Sequence, residues 1–390
     1  MAPDYARPEA TDNTGGATAD GKSLAERPVR RKLAPARQRT QMRHRRAIVA
    51  TLGIVSLLAV TGARASSRSR AAGKDVVIVP HDSWNCGLPD GIPNPENGRL
   101  IFQAEMTLDR LADLGRTQYG RRRVAVLSGG TVTGAGLHAS VMTGALDFEL
   151  TLSNGVVEIE QLLVLKTSDG RYVYVRSAGT GPDASDVRIV IDFEAPAASD
   201  LAWLNAGTYV ARRTLNAAAH TMSLRVYELS GVTPGAKNRI VRIPKPAGVL
   251  PQPWEYRKVG PSEQRGAQLI AETVTLSPSQ TVGPSKRGNR NIIPITGGEL
   301  TGRITGRVLA GGADYQNLSP PATIDAHYLW QTADGEIIIV RNGGSFGSLV
   351  PTFEVRIDSP YAWLNTGLFQ SSNPQMRPGG VGLIFYESTR

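Results

Sequence analysis

The 390-residue chain is 41% hydrophobic and carries 44 Lys/Arg against 34 Asp/Glu, with 42 glycines, 25 prolines and one cysteine. Its length exceeds the roughly 250–300 residues at which single cores stop growing, which predicts two domains plus tails, and the Gly and Pro usage leans towards turn-rich β structure. The formal charge of +10 sits wholly in residues 1–46 and 64–74; residues 75–390 are neutral, which excludes a phosphate-neutralising face on the folded part and with it a nucleic-acid partner.

Residues 1–46 are polar and poor in aromatics, the composition of a disordered basic tail. The uncharged run Ala47 to Ala63 follows Arg43, Arg45 and Arg46 and closes on Ala63-Arg64-Ala65, a small-x-small box. Residues 47–65 therefore read as a signal peptide or an uncleaved anchor, which makes the protein extracytoplasmic, either secreted or membrane-anchored. Membrane contact would be confined to residues 47–63 in an uncleaved chain. A linker, 66–97, follows. Its lone Cys86 can form no intrachain disulfide and reads as a structural thiol.

From there the chain repeats. "SGGTVTG" (128–134) returns as "TGGELTG" (296–302), "SDGRYVYVR" (168–176) as "ADGEIIIVR" (333–341), and "LAWLNAG" (201–207) as "YAWLNTG" (361–367), in the same order. Internal repeats at a near-constant offset indicate a duplicated unit. The copies are placed at 98–232 and 263–390, joined by a Pro-rich linker, 233–262. Each copy is expected to have its own core and to fold alone. The second contains a glycine ladder, Gly298, Gly302 and Gly306, whose even period puts the glycines on one face of a strongly curved strand. The first copy has a worn version in which Gly306, Gly311 and Asp314 are read as His138, Thr143 and Leu146.

Within each copy the signals are strands: "VEIEQLLVL" and "RYVYVR" flank Asp169-Gly170, and "ATIDAHYLW" and "EIIIVRN" flank Asp334-Gly335. About eight strands in roughly 130 residues, with glycines at corners, predict a small closed antiparallel barrel, with a β-sandwich as the alternative. The fold class is all-β, two tandem antiparallel barrels behind a tail and a signal or anchor segment. The second copy, with Arg290, Gly297-Gly298, Gly302, Gly306, "VLAGGADY", "IDAHYLWQTADGEIIIVRN" and "FYE", resembles the domain of unknown function 3237 family. That resemblance implies a barrel like that of allene oxide cyclase. It implies fold more than activity.

Three chemistries are weighed. "GGSFG" (343–347) has the spacing of a nucleophile elbow but runs into a strand, where an elbow must open a helix. Five scattered histidines offer no metal-ligand spacing, so no metal and no cofactor is expected. The remaining candidates are polar residues on apolar strands: Asp314 and Asp325 as proton-exchanging groups, and Arg290, Arg341, Tyr328 and Trp363 as binding groups. Arg122, Glu160 and Arg176 are placed with these in the first copy. A barrel-interior charge is costly unless paired or wetted, which makes matched charges in two copies notable. Register decides their face. A two-residue turn at Asp334-Gly335 sets Arg341 opposite Tyr328; a three-residue turn sets it opposite His327 and on the face of Asp325.

The expected function is binding, with isomerisation or cyclisation as a further step, of a small, largely apolar molecule bearing a carbonyl or hydroxyl, in the second barrel. The alternative is a non-catalytic interaction or structural protein of the cell envelope. Whether the protein is an enzyme stays open between the two.

Overall fold

The computed structural model describes residues 76–389 apart from 85, 89, 233–237 and 246–256. The tail and the segment 47–65 lie outside the described residues, as does much of the Pro-rich linker. Among the described residues no helix is long and apolar enough to cross a membrane.

A short strand, β1 (Val76–Val79), precedes the first copy. The first copy contributes β2 (Arg99–Arg116), β3 (Arg121–Gly134), β4 (Leu137–Val141), β5 (Leu146–Thr151), β6 (Val157–Thr167), β7 (Tyr172–Gly181), β8 (Arg188–Glu194), β9 (Tyr209–Asn216) and β10 (Thr221–Glu228). Strand β11 (Arg239–Arg242) then pairs in parallel with β1. The second copy holds β12 (Gln264–Leu276), β13 (Gln280–Ser285), β14 (Gly288–Gly302), β15 (Gly306–Val308), β16 (Ala313–Asn317) and β17 (Thr323–Thr332). It ends with β18 (Ile337–Ser345), β19 (Ser348–Glu354), β20 (Phe369–Ser371), β21 (Gln375–Arg377) and β22 (Gly380–Thr389).

Each copy closes on itself as an antiparallel barrel of eight strand positions. The first closes through β2–β3 and the second through β12–β22, with β4/β5 and β15/β16 each sharing one position. Gly298 and Gly302 lie where β14 crosses β12, but Gly306 opens β15 and pairs back onto Leu300, so the ladder expected on one curved strand is divided between two. At Gly298, with φ +150°, any Cβ would stand 1.9 Å from the Thr273 carbonyl oxygen, so the close crossing demands glycine there. The Asp-Gly hairpins use three-residue turns, since Thr167 pairs with Arg171 and Thr332 with Glu336 around positive-φ Gly170 and Gly335. His327 consequently faces Arg341. The "GGSFG" stretch is the β18–β19 hairpin, with Ser345 paired to Ser348.

Burial explains the sequence texture. On β2 inward residues are buried and alternate ones exposed, giving a period of two. On β6 nearly every residue is buried, because one face lines its barrel and the other packs on the second copy. Besides the two barrel cores, a third apolar cluster lies between the copies, uniting Val126, Phe148, Leu162 and Tyr174 with Ile292, Tyr315, Leu329 and Ile339. Both copies fall in one compact unit, Ser66–Arg390. Each barrel has its own core as expected, but they share this seam.

Residues 81–97 do more than link. Trp84, Cys86 and Ile92 pack against Ala178, Val210 and Leu229 on the outer wall of the first barrel, and Trp84 Nε1 donates to the Gly179 carbonyl at 2.7 Å. Burial pushes the Cys86 thiol well up, with Glu158 adding to the effect, as expected of an inert structural thiol.

Candidate functional site

The sequence-predicted charges divide into two groups. Arg122, Arg290, Arg341, Glu160 and Asp325 point outward, into the seam. Arg122 Nε donates to Glu354 Oε1 at 2.8 Å, joined by Thr117 Oγ1 at 2.5 Å. Arg290 makes the same contact in reverse, a forked pair with Glu194 at 2.7 and 3.1 Å joined by Ser285 Oγ at 2.6 Å. Arg341 reaches Glu160 at 2.6 Å, and Arg176 lies 3.5 Å from the same carboxylate. Burial pushes Glu160 up, but Arg341, His327 and Arg176 outweigh it and hold its carboxyl below the ordinary value. Asp325 Oδ1 lies 2.7 Å from His327 Nε2 and does not join Asp314. Arg122, Arg290 and Arg341, expected inside a barrel, thus pair with carboxylates of the other copy, where an opposite partner lowers the cost of burial.

A cleft of about 310 Å³ opens beside this seam, with Arg176, Asp192 and Arg287 in its lining. Arg287 is held by Asp192 at 2.8 Å. Trp363 closes the far end of the second barrel, packed on Phe369 and covered by the Arg303 guanidinium at 4.0 Å.

Two of the predicted residues, Asp314 and Tyr328, do face the interior of the second barrel. Asp314 pairs across strands with Ile293 and Ala326, and Ala326 packs on the interior core. A relay of side chains sets its orientation: Thr281 donates to Asn291, Asn291 to Gln316, and Gln316 to Asp314 Oδ2, at 2.8, 3.0 and 2.7 Å. The other oxygen, Oδ1, is buried with no hydrogen-bond partner. Burial lifts this carboxyl to about 7, opposed by the Gln316 hydrogen bond and by the Asp325 backbone N–H, while the nearby Asp325 charge adds to the lift.

Register corrects the reading of its counterpart. Val126 pairs with Leu146 and Ala125 with Asp147, while Pro294 pairs with Ala313 and Ile293 with Asp314. Asp147, not Leu146, therefore occupies the place of Asp314; one extra residue after Gly144 displaced the ungapped comparison. Burial pushes both carboxyls up, against Arg213 at Asp147 and against Gln316 at Asp314, but their partners differ. Asp147 is held by Arg213 at 2.6 and 3.0 Å and by Gln161 Nε2 at 2.9 Å. In the second copy Ala326 stands in place of Gln161. At the repeat offset of the Ala-Trp-Leu-Asn turn, Arg213 is replaced by Asn373, whose side chain instead caps the Gly347 N–H at 2.6 Å. The plug of the first barrel is missing from the second.

Deeper in the second barrel lies a group the sequence reading missed. Glu272 is 3% exposed and accepts from Tyr328 Oη at 2.6 Å and Trp330 Nε1 at 2.9 Å. Burial lifts its carboxyl to about 7, only partly opposed by those two donors. By register Glu272 pairs with Leu300 as Ala104 pairs with Val132, so the first copy has Ala104, Leu163 and Leu165 where the second has Glu272, Tyr328 and Trp330. That joint change was legible once the copies were aligned. Below it the interior is filled by Trp330, Phe353, Phe369 and Phe385 in edge-on contacts.

The interior thus offers a polar upper layer with an unsatisfied carboxylate oxygen, over a buried acid and an aromatic floor. At the upper end the loops carry exposed Leu318 (42%) and Phe346 (50%). This is a tandem β-barrel protein in which one interior is ionically plugged and the other is not. Residues 97–229 and 268–348, more than half of the chain together, match a family described as "Protein of unknown function (DUF3237)", and the chain belongs to that family. Over 83 residues it is 46% identical to the UPF0311 protein blr7842 of Bradyrhizobium diazoefficiens, covering 20% of this chain and 55% of that protein. Over 75 residues it is 40% identical to a UPF0311 protein of Rhodopseudomonas palustris, covering 18% and 49%. The chain spans about half the length of these curated relatives. Among solved structures it is similar to a conserved protein of unknown function, RPA1785, from Rhodopseudomonas palustris, with 21% identity, a TM-score of 0.31 and coverage of 33% of this chain and 95% of that one. It is also similar to a beta-barrel like protein from Acinetobacter baumannii, with 20% identity, a TM-score of 0.30 and coverage of 34% and 94%.

Proposed function

We propose that the second barrel binds a small, largely apolar molecule bearing a carbonyl or hydroxyl group, and that Asp314 exchanges a proton with it in an isomerisation or cyclisation. The observation that carries this is Asp314 Oδ1, a buried oxygen without a partner, in a place where the first barrel supplies Arg213 and Gln161. A buried unsatisfied acceptor in a native fold asks for an explanation, and a ligand donor is one. A carboxyl lifted to about 7 can hold or release a proton at neutral pH. It would take a proton from one atom of the ligand and return it to another, so no oxidant or reductant is consumed. Barrel walls exclude water and limit the ligand to few conformations, and the Leu318 and Phe346 rim suits an apolar body. Export through residues 47–65 is part of this proposal and rests on the sequence alone. The filled aromatic floor favours the second reading, a barrel serving only as an interaction module. Thermal shift against a panel of hydrophobic alcohols and ketones separates the two. Binding by the wild type that is lost in both Asp314→Asn and Ala326→Gln, each still folded, supports the site; binding unchanged in both variants refutes it.

A further inference from the structure

The layer that holds Asp314 contains a second unsatisfied acceptor. Ala326 is flanked by Asp314 on β16 and by Asn342 on β18, and Asn342 is 2% exposed. Its Nδ2 donates to Ser371 Oγ at 3.0 Å, and Ser371 Oγ donates onward to the Ser372 carbonyl at 2.9 Å. The serine has one proton and it is committed to that carbonyl, so the hydroxyl can only accept from Asn342. This fixes the amide with Oδ1 turned away from Ser371, and Oδ1 has no partner. Gln316 fixes Asp314 in the same manner, leaving its Oδ1 unsatisfied. Ala326 is the strand neighbour of both residues, so two strand spacings, about 10 Å, separate the Asp314 and Asn342 backbones. In the first copy the corresponding row is Asp147, Gln161 and Ser177; there Gln161 Nε2 is committed to the aspartate, while Gln161 Oε1 and Ser177 Oγ are themselves buried without partners.

We infer that the second barrel recognises a head group with two hydrogen-bond donors, a dihydroxy or amino-hydroxy framework, giving one donor to Asp314 Oδ1 and one to Asn342 Oδ1. This rests on the reading that Asp314 faces a ligand, and it narrows that ligand's class. A ketone or a mono-alcohol leaves at least one buried acceptor dry, and a dry buried acceptor lowers affinity by about tenfold or more.

The test is calorimetric titration of the full chain with a 5-alkylresorcinol and with the 3-alkylphenol of equal chain length. The wild type should bind the resorcinol about tenfold or more tightly than the phenol. Asn342→Leu, close in shape but without the acceptor, should bring the resorcinol down to the phenol's affinity and leave the phenol unchanged. Should that variant fail to fold, Ser371→Ala, which frees the amide to turn and present Nδ2, should erode the same preference. Equal affinity for both compounds, or an equal loss of both in Asn342→Leu, overturns the two-donor inference and leaves the Asp314 site standing. No binding of either compound overturns the inference, and the site falls with it only if the alcohol and ketone panel is equally blind to Ala326→Gln.

Discussion

Glu272 makes the sharpest thermodynamic test of the second barrel's interior. Its carboxyl is buried against Tyr328 and Trp330 and lifted from an ordinary 4.5 to about 7. Between those values the folded state keeps a proton that the unfolded chain has released, so stability falls as pH rises. The contribution is fully present below about pH 4.5 and is lost as pH climbs through 7. At about 1.4 kcal/mol per pH unit the loss comes to about 3 kcal/mol. Glu272→Gln keeps the size and one carbonyl acceptor but cannot ionise. Urea denaturation of both proteins at matched ionic strength should therefore show the variant gaining on the wild type by about 3 kcal/mol between about pH 4.5 and 8. Asp314 adds a slope of the same sign to both proteins and cancels in the difference. A difference flat to within about 0.5 kcal/mol would mean that Glu272 titrates normally, and would remove the argument that this interior holds uncompensated acids. A difference of the opposite sign would mean that the ionised form is the stabilised one.

Other outcomes follow from the seam and the leader. Glu354→Gln removes the charge that the Arg122 Nε–H meets on a side chain only 2% exposed and should cost about 3 kcal/mol, whereas Asp113→Asn, on the exposed pair with Arg121, should cost under about 1 kcal/mol; equal effects in urea denaturation would mean the seam pair is solvated. A fragment of residues 257–389 exposes Ile292, Tyr315, Leu329 and Ile339 from the seam cluster and should self-associate in sedimentation velocity, while a monodisperse monomer as stable as the full chain would show that the seam contributes nothing. Export predicts a mature N-terminus near Ser66, or an intact chain in the membrane fraction, and a soluble full-length cytoplasmic product would refute both.

The duplication and the barrels were legible because hairpin glycines, alternating strands and the Ala-Trp-Leu-Asn turn survive in both copies. The repeated asparagine of that turn has a plain use: Asn205 and Asn365 each clamp the residue ten before them, Ala195 and Val355, through both N–H and C=O. The side on which each charge lies was not legible. It depended on a single residue of turn length, and the Asp-Gly pairs are compatible with either register. Asp147 was hidden by one inserted residue, which shifts an ungapped comparison by one and so moves it to the opposite face. The seam was hidden for a different reason. A strand buried on both faces and a strand with an apolar ligand cavity read alike, as in "VEIEQLLVL", and nothing local says that the second face meets another copy of the same domain.

The seam also explains why the copies could diverge where they did. Arg122 and Thr117 of the first copy hold Glu354, and their register counterparts Arg290 and Ser285 of the second hold Glu194. Gly312 N–H meets the carbonyl of its counterpart Gly144 at 2.7 Å. Contacts that exchange copies in this way are those of an isologous twofold interface, here closed within one chain. Such an interface makes each surface residue serve one pair while its counterpart serves the other, so a change in one copy is felt by a residue of its partner. The two interiors carry no such coupling, since each barrel core packs only on itself. The first could therefore take an arginine and a glutamine onto its aspartate, pairing a buried charge within its own walls, while the second holds one oxygen of its aspartate through Gln316, leaves the other without a partner, and sets a second acid beneath it. The Arg122–Glu354 and Arg290–Glu194 pairs of the seam are thus matched between the copies, while the interiors differ both at the Asp314 layer and at the Glu272 layer beneath it.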